Sequence, residues 1–394
     1  QNNTYAVVYS YDELGRLEAE TYSTLYIVDS NEWDIYPPES CGTLSTGMRC
    51  YYSSSQDTYT FGYDKVGNLN SKVRTTARSS WSLLSPYPIS SSESTSWTYS
   101  HDDENRLETE KLVSYSGDSF RLTYEYENIY GYLSTITYPL GNRISYLPDV
   151  FGRPTRVGNI VSDVQYYDTG AIEKLTYRNG MEVNYTLNDR KLTETMQANI
   201  SGSPLTNLEY AYDMNRNLEL IQDNRAPNNT RDMGYDGLDR MTSANGRWGS
   251  GVYEYDTLSN FESKTIGGQT DTYLNHPTNN RLTQFNDRFI EYDLYGRITH
   301  DGNNRYFYDF SNNLTKATNL ITDENVSYRY DANNRLQFSD QNYGERYVYR
   351  ATGKLMYEIQ RNGDLQRSHI YLGSRLVGYQ NTRIECSDDS CIGQ

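Results

Sequence analysis

Tyr328 to Leu336 reads Tyr-Arg-Tyr-Asp-Ala-Asn-Asn-Arg-Leu, two aromatic rings, a carboxylate and two guanidinium groups within nine residues. Tyrosine faces can stack on sugar rings, and a carboxylate nearby could act as an acid or base in glycoside chemistry. The same phrase occurs far upstream, as Tyr-Ser-Tyr-Asp-Glu-Leu-Gly-Arg-Leu from Tyr9 to Leu17. Internal repetition decides architecture before it decides chemistry. A constellation repeated over a dozen times, with its glycine exchanged for asparagine or aspartate, is a folding unit.

Its members are Tyr11-Asp12 with Gly15 and Arg16, Tyr63-Asp64 with Gly67, Tyr212-Asp213, Tyr235-Asp236 and Tyr255-Asp256. Further along come Tyr292-Asp293 with Gly296 and Arg297, Tyr308-Asp309, and Tyr330-Asp331 with Asn334 and Arg335. His101, Tyr126, Tyr167, Tyr349 and Tyr371 anchor further copies. The steps are about twenty residues where the rhythm is regular, which suits two strands of five to seven residues and two turns.

Within one unit the two rings of Tyr-x-Tyr fall on one face of a strand, because side chains alternate with period two. The Asp opens a turn by accepting from amides further on. The position held by Gly15, Gly67, Asn105, Gly152, Asp239, Gly296, Asn312, Asn334 and Gly353 calls for positive φ. Arg216 and Ser259 occupy that position without an evident reason. The Arg that follows can reach back to the Asp, and an apolar residue starts the return strand. The sequence therefore predicts an all-β array of antiparallel hairpins with little helix, occupying residues 1–394 as a single body.

Two regions interrupt the rhythm. Around residues 25–60 the spacing predicts an inserted loop pinned by a disulfide. Around 79–97 a Ser/Pro-rich run with Trp81 and Trp97 predicts a second excursion. Cys41 lies close to Cys50, and Cys386 close to Cys391. Local pairing into two disulfides is the leading reading, with a zinc site as its rival; the spacings and the lack of nearby histidine disfavour zinc. Disulfides imply a secreted, extracellular or cell-surface setting.

The formal charge is -16, from 36 Lys and Arg against 52 Asp and Glu. That excludes phosphate-backbone binding as a main role and disfavours anionic membranes. No apolar run spans a bilayer. Hydrophobic residues make up only 36%, yet 41 tyrosines can build an amphipathic core.

Nothing else in the chain assembles a catalytic motif, a cofactor loop or a metal set. His101 and His369 sit at tyrosine-like positions, and His276 and His300 at turns. Asp102-Asp103-Glu104 and Asp388-Asp389 could attract calcium, although a solvated turn is the commoner explanation. Trp33, Trp81, Trp97 and Trp248 fall outside the repeat register and are the better candidates for a partner surface.

The repeated Tyr-Asp, two residues, then Gly-Arg-Leu resembles the RHS/YD-repeat family across nearly the whole chain. His369 to Val377 resembles the tyrosine-leucine segment near the end of that family's repeat region. The resemblance implies a long strand spiral closing into a shell. Bacterial relatives enclose a C-terminal toxin in it, and the teneurins use it in adhesion. The family's Asp-Pro self-cleavage motif is missing, so neither autoprotease nor toxin is expected within this sequence.

Three functional readings follow. The leading one is a non-enzymatic structural or adhesive scaffold, joined through strand edges to flanking segments or to further copies as filaments. The first alternative is the shell segment of a polymorphic toxin. The second is a tyrosine-rich glycan-binding or polysaccharide-active module, with a cell-surface glycan or protein as partner. No cofactor, nucleic acid or membrane span is expected.

Overall fold

The computed structural model describes residues 4–29, 50–82, 89–341, 344–360 and 365–383. Strands follow one another in strict chain order in three antiparallel sheets of nine, thirteen and ten strands. The first sheet runs from Thr4–Tyr11 to Arg143–Ser145, the second from Val161–Tyr166 to Arg288–Phe289, and the third from Glu291–Tyr292 to Arg375–Arg383. Among the described residues helical backbone is confined to a single turn at Pro227–Asn229 and to Gln341, and no helix is long and apolar enough to cross a membrane. This is the hairpin array that the repeat predicts.

Apart from Tyr167-Asp168, the Tyr-Asp turns are built the same way. Asp12 shows it: its backbone N–H donates to the Arg16 carbonyl at 2.9 Å, and its Oδ1 accepts from the N–H groups of Leu14 and Arg16. The ladder shifts register at the motif tyrosine, between Ser10 and Tyr11 here and between Glu254 and Tyr255 later. The bulge lets the carboxylate turn inward over the amides. All the residues expected at positive φ adopt it, from Asn334 at 57° to Gly67 at 98°.

Arg216 (φ 74°) and Ser259 (φ 68°) adopt it as well. The turn's hydrogen bonds override their own preference, because an L-residue with a Cβ is disfavoured there. Arg216→Gly and Ser259→Gly should each raise unfolding free energy by about 1 kcal/mol in chemical denaturation. A loss of stability in both would refute the strain account.

Two expectations about the N-terminal region need correction. The segment around 25–60 is mostly sheet: Leu17–Asp29 and Cys50–Tyr63 pair continuously from Ala19↔Thr60 to Asp29↔Cys50. Only residues 30–49 remain for a loop, and they lie outside the described residues. The Ser-rich run is likewise a ladder, with Leu69–Ser82 pairing Ile89–His101 from Ser71↔Thr98 to Ser80↔Ile89. Serine and threonine alternate here with residues that pack: Thr95 and Trp97 are buried on one face. The early strands are thus twice the expected length. Cys41, Cys386 and Cys391 lie outside the described residues, and Cys50 is placed only as the first residue of its strand.

Burial is uneven. One core joins all three sheets, with Leu122, Tyr138 and Val157 against Leu175, Val183, Met356 and Ile370. A second packs Trp97, Leu112 and Phe120 of the first sheet on Ala332, Val348, Tyr357 and Ile359 of the third. Between residues 203 and 330 only Ala244 and Gly251 are buried. Every other residue of that stretch is half-buried at most.

Candidate functional site: the repeat clamp and the seam between the first and third sheets

The repeat's chemistry is spent on joining neighbouring hairpins. The Arg335 guanidinium turns to the carbonyls of Arg350 and Ala351. In the units of Arg16, Arg106, Arg153, Arg240 and Arg297 the Arg instead binds its own Asp, as Arg240 Nε does with Asp236 Oδ2 at 2.7 Å. Its guanidinium then lies over the motif tyrosine of the next unit: Arg16 over Tyr63 at 4.6 Å, Arg240 over Tyr255 at 4.7 Å, Arg297 over Tyr308 at 5.0 Å. That tyrosine's hydroxyl donates to the carbonyl of the residue directly after the Arg. Tyr63 donates to Leu17, Tyr255 to Met241 and Tyr308 to Ile298, at 2.8–3.0 Å. Tyr212, Tyr235 and Tyr292 donate to the carbonyls of Thr193, Leu218 and Leu282. Cation, ring and hydroxyl form one clamp, which explains why the position is tyrosine and not phenylalanine.

Sequence reasoning found the Arg-to-Asp contact and missed the clamp. The signal was there, in the recurrence of a hydroxyl on the second ring. The anchor expected at Tyr167 belongs to Tyr166, which takes the Pro154 carbonyl and lies beneath Arg153. Asp102 is occupied by turn amides and Arg106, which also pairs Glu104, so that acidic run serves its turn. Among the described residues no group of three ligands could hold a metal.

The histidines fall where their positions suggested. His276 Nδ1 accepts from the Thr278 N–H and His300 Nδ1 from the Gly302 N–H, each imitating the turn aspartate. His369 is buried, edge-on to Tyr379 at 6.0 Å and 3.5 Å from Glu358. Burial lowers its pKa against the pull of Glu358.

Three motif turns of the third sheet leave the common edge pattern and seat on the face of the first sheet. Tyr59 Oη reaches Ser311 Oγ at 2.7 Å and Asn334 Oδ1 at 2.8 Å. Arg74 donates through Nη2 to both Asp57 and Asp309, at 2.8 and 2.7 Å, with Thr76 Oγ1 on the other Asp57 oxygen. Trp97 Nε1 donates to Asp331 Oδ2 at 2.8 Å, and Tyr115 to the Tyr330 carbonyl. Glu110 accepts from the Tyr124 hydroxyl and from the Ala351 N–H. Trp97 is therefore a buried seam residue, which corrects its assignment to a partner surface. Trp248 is partly exposed, while Trp33 and the Trp81 side chain lie outside the described residues.

Beside this seam opens a cleft of about 680 Å³. One wall is a row across the first sheet, Tyr22↔Asp57↔Thr76↔Glu93, with Arg78 one period further along. The other is a row across the third, Phe307↔Lys316↔Ser327, with Arg329 in the corresponding place. Arg74, Arg78, Arg297, Arg329 and Lys316 line it together with Asp57, Glu93 and Asp309. A volume of this size is ordinary for small-molecule sites.

The carboxylates divide into two classes. The Asn260 side chain above all, aided by turn amides, holds Asp256 below its ordinary 3.8, and the Arg16 amide does the same for Asp12. Burial pushes Glu110 above 4.5 and Asp331 above 3.8, against their hydrogen-bond donors. The signs oppose. The turn aspartates contribute stability above their unfolded pKa that is lost as pH falls through the lowered folded values. Glu110 and Asp331 contribute stability at low pH that is lost as pH rises through their raised values. Thermal unfolding between about pH 3 and 8 should show a maximum on the mildly acidic side, and Glu110→Gln should flatten the neutral limb. A monotonic rise to neutral pH would contradict the assignment.

No family model and no curated protein matches the chain. Solved structures do. The TcdB2-TccC3-Cdc42 complex aligns over 94% of this chain with a TM-score of 0.54 and 11% identity. The TcdB2-TccC3 structure covers 96% with 0.55 and 11%, and TcdB2-TccC3-TEV covers 93% with 0.56 and 14%. This chain spans 28%, 28% and 22% of those chains. The likeness establishes the fold, an all-β hairpin array of the kind in those toxin-complex chains, in keeping with the RHS/YD resemblance its motifs carry.

Proposed function

We propose that this chain is a wall segment of a toxin shell: a non-enzymatic stretch of spiral sheet that helps to enclose an effector. The carrying observation is geometric. A wall with almost no buried residue from 203 to 330 comes back so that its later turns, at Asp309, Asp331 and Ala351, seat on the first sheet. A solid β-sandwich buries one face of each sheet at a packed core; a stretch of sheet with almost no buried residue on either face fits a wall beside a lumen. The fold shared with TcdB2-TccC3 chains supports this reading over the adhesive scaffold.

The wall needs neighbours. Among the described residues Thr4–Tyr11 pairs on one edge only, and Val7, Val8, Tyr9 and Tyr11 are exposed. An unpaired apolar edge of this length is a strand-pairing surface. Flanking wall is the occupant the shell reading assigns to it; filaments of copies would be the scaffold's version. The extracellular setting rests on the two cysteine pairs.

Electron microscopy of the protein from its full reading frame tests the proposal, together with protease treatment of the same sample. A hollow particle whose contents resist protease is expected. Solid particles or filaments, with every segment cleaved at one rate, would overturn it.

A further inference from the structure

The seam cleft carries a second assignment, independent of the shell reading. Its charges do not balance internally. Arg74 is taken by Asp57 and Asp309, Arg297 by Asp293, and Arg329 by Glu93 at 3.4 Å. Arg78 and Lys316 have no carboxylate partner among the described residues, although both line the cleft from opposite walls. Lys316 lies over the Phe307 ring at 5.6 Å, and Arg78 is exposed on the first sheet.

Two unmatched cations in one concavity are unexpected on a chain of charge -16. The surrounding acidity repels large polyanions at a distance, whereas a small anion inside the cleft meets the local positive field. The walls add ring surface: Tyr22 and Phe310 come from different sheets and lie parallel to within 10°, with centroids 6.5 Å apart. Tyr115 and Thr76 line the cleft as well.

We propose that the seam cleft binds a small ring-bearing carboxylate. Arg78 and Lys316 supply the charge, and the aromatic walls contact the ring. The class covers acidic sugars and aromatic acids, which share a ring face and one anionic group. Paired cations and aromatic walls are how such a ligand is distinguished from its neutral counterpart.

Calorimetric titration of the purified chain with glucuronate, benzoate, glucose and benzyl alcohol separates the cases. Saturable binding of glucuronate alone assigns acidic sugars, and of benzoate alone aromatic acids; either supports the site. Arg78→Gln/Lys316→Gln should weaken it by about tenfold or more with an unchanged unfolding temperature, since neither side chain is held in an ion pair. Added salt should weaken it too. No saturable carboxylate binding, equal binding of the neutral counterparts, or binding unchanged in the double variant would each overturn the proposal.

Discussion

Trp97→Ala should lower the unfolding free energy by about 3–5 kcal/mol, the range for truncating a large buried aromatic. Trp97 is 1% exposed and packs in the core shared by Leu112, Phe120, Ala332 and Tyr357. Two losses combine. The first is apolar burial plus the cavity left behind. The second is the donor to Asp331, a carboxylate 1% exposed whose remaining donors are the amides of its own turn. Trp97→Phe separates them, because it keeps most of the volume and removes the N–H; its cost should be about 1–3 kcal/mol. A double-mutant cycle with Asp331→Asn then reports the pair alone. If guanidinium titration gave less than about 1 kcal/mol for Trp97→Ala, the first and third sheets would not be joined through this core.

The hairpin was legible because its signals are local. Alternating tyrosines, a turn aspartate and a left-handed position lie within nine residues, and local hydrogen bonds enforce them even against Arg216 and Ser259. Which hairpin is buried was not legible. Asp236 and Asp331 stand in nearly the same phrase, yet one caps a solvent-facing turn and the other meets a tryptophan 234 residues away. No spacing within the unit encodes that meeting.

Trp97 was misread for a related reason. It falls outside the repeat register and so was assigned to a partner surface, while apart from Tyr99 its apolar surroundings come from across the sheet or from the other end of the chain. Strand length was obscured by the polar composition of the Ser-rich run. The seam therefore took its specificity from residues that break the repeat, and Tyr59, Arg74 and Trp97 are all first-sheet departures from it. What the motif supplies is a uniform edge of turns; these departures select the turns that dock.

Arg74 gives the sharpest test of that selection. Arg74→Met should cost about 3–5 kcal/mol, because it strands charges that water cannot reach. The Arg74 and Asp57 side chains are 4% and 2% exposed, and Asp309 is 10% exposed. Asp57 would keep only the Thr76 hydroxyl, while Asp309 would keep its own turn amides and Asn313. Screening by salt should hardly change the loss, in contrast to a surface pair. Arg74→Met/Asp57→Leu removes the cation together with the more dependent anion, and should recover most of the stability, within about 1–2 kcal/mol of the parent. The single and double variants unfold through the same seam, so their difference is read directly from denaturation midpoints. If the double variant were no better than the single, Arg74 would act mainly by packing against the Tyr59 ring, 5.5 Å from its guanidinium, and not by neutralising the docked turn.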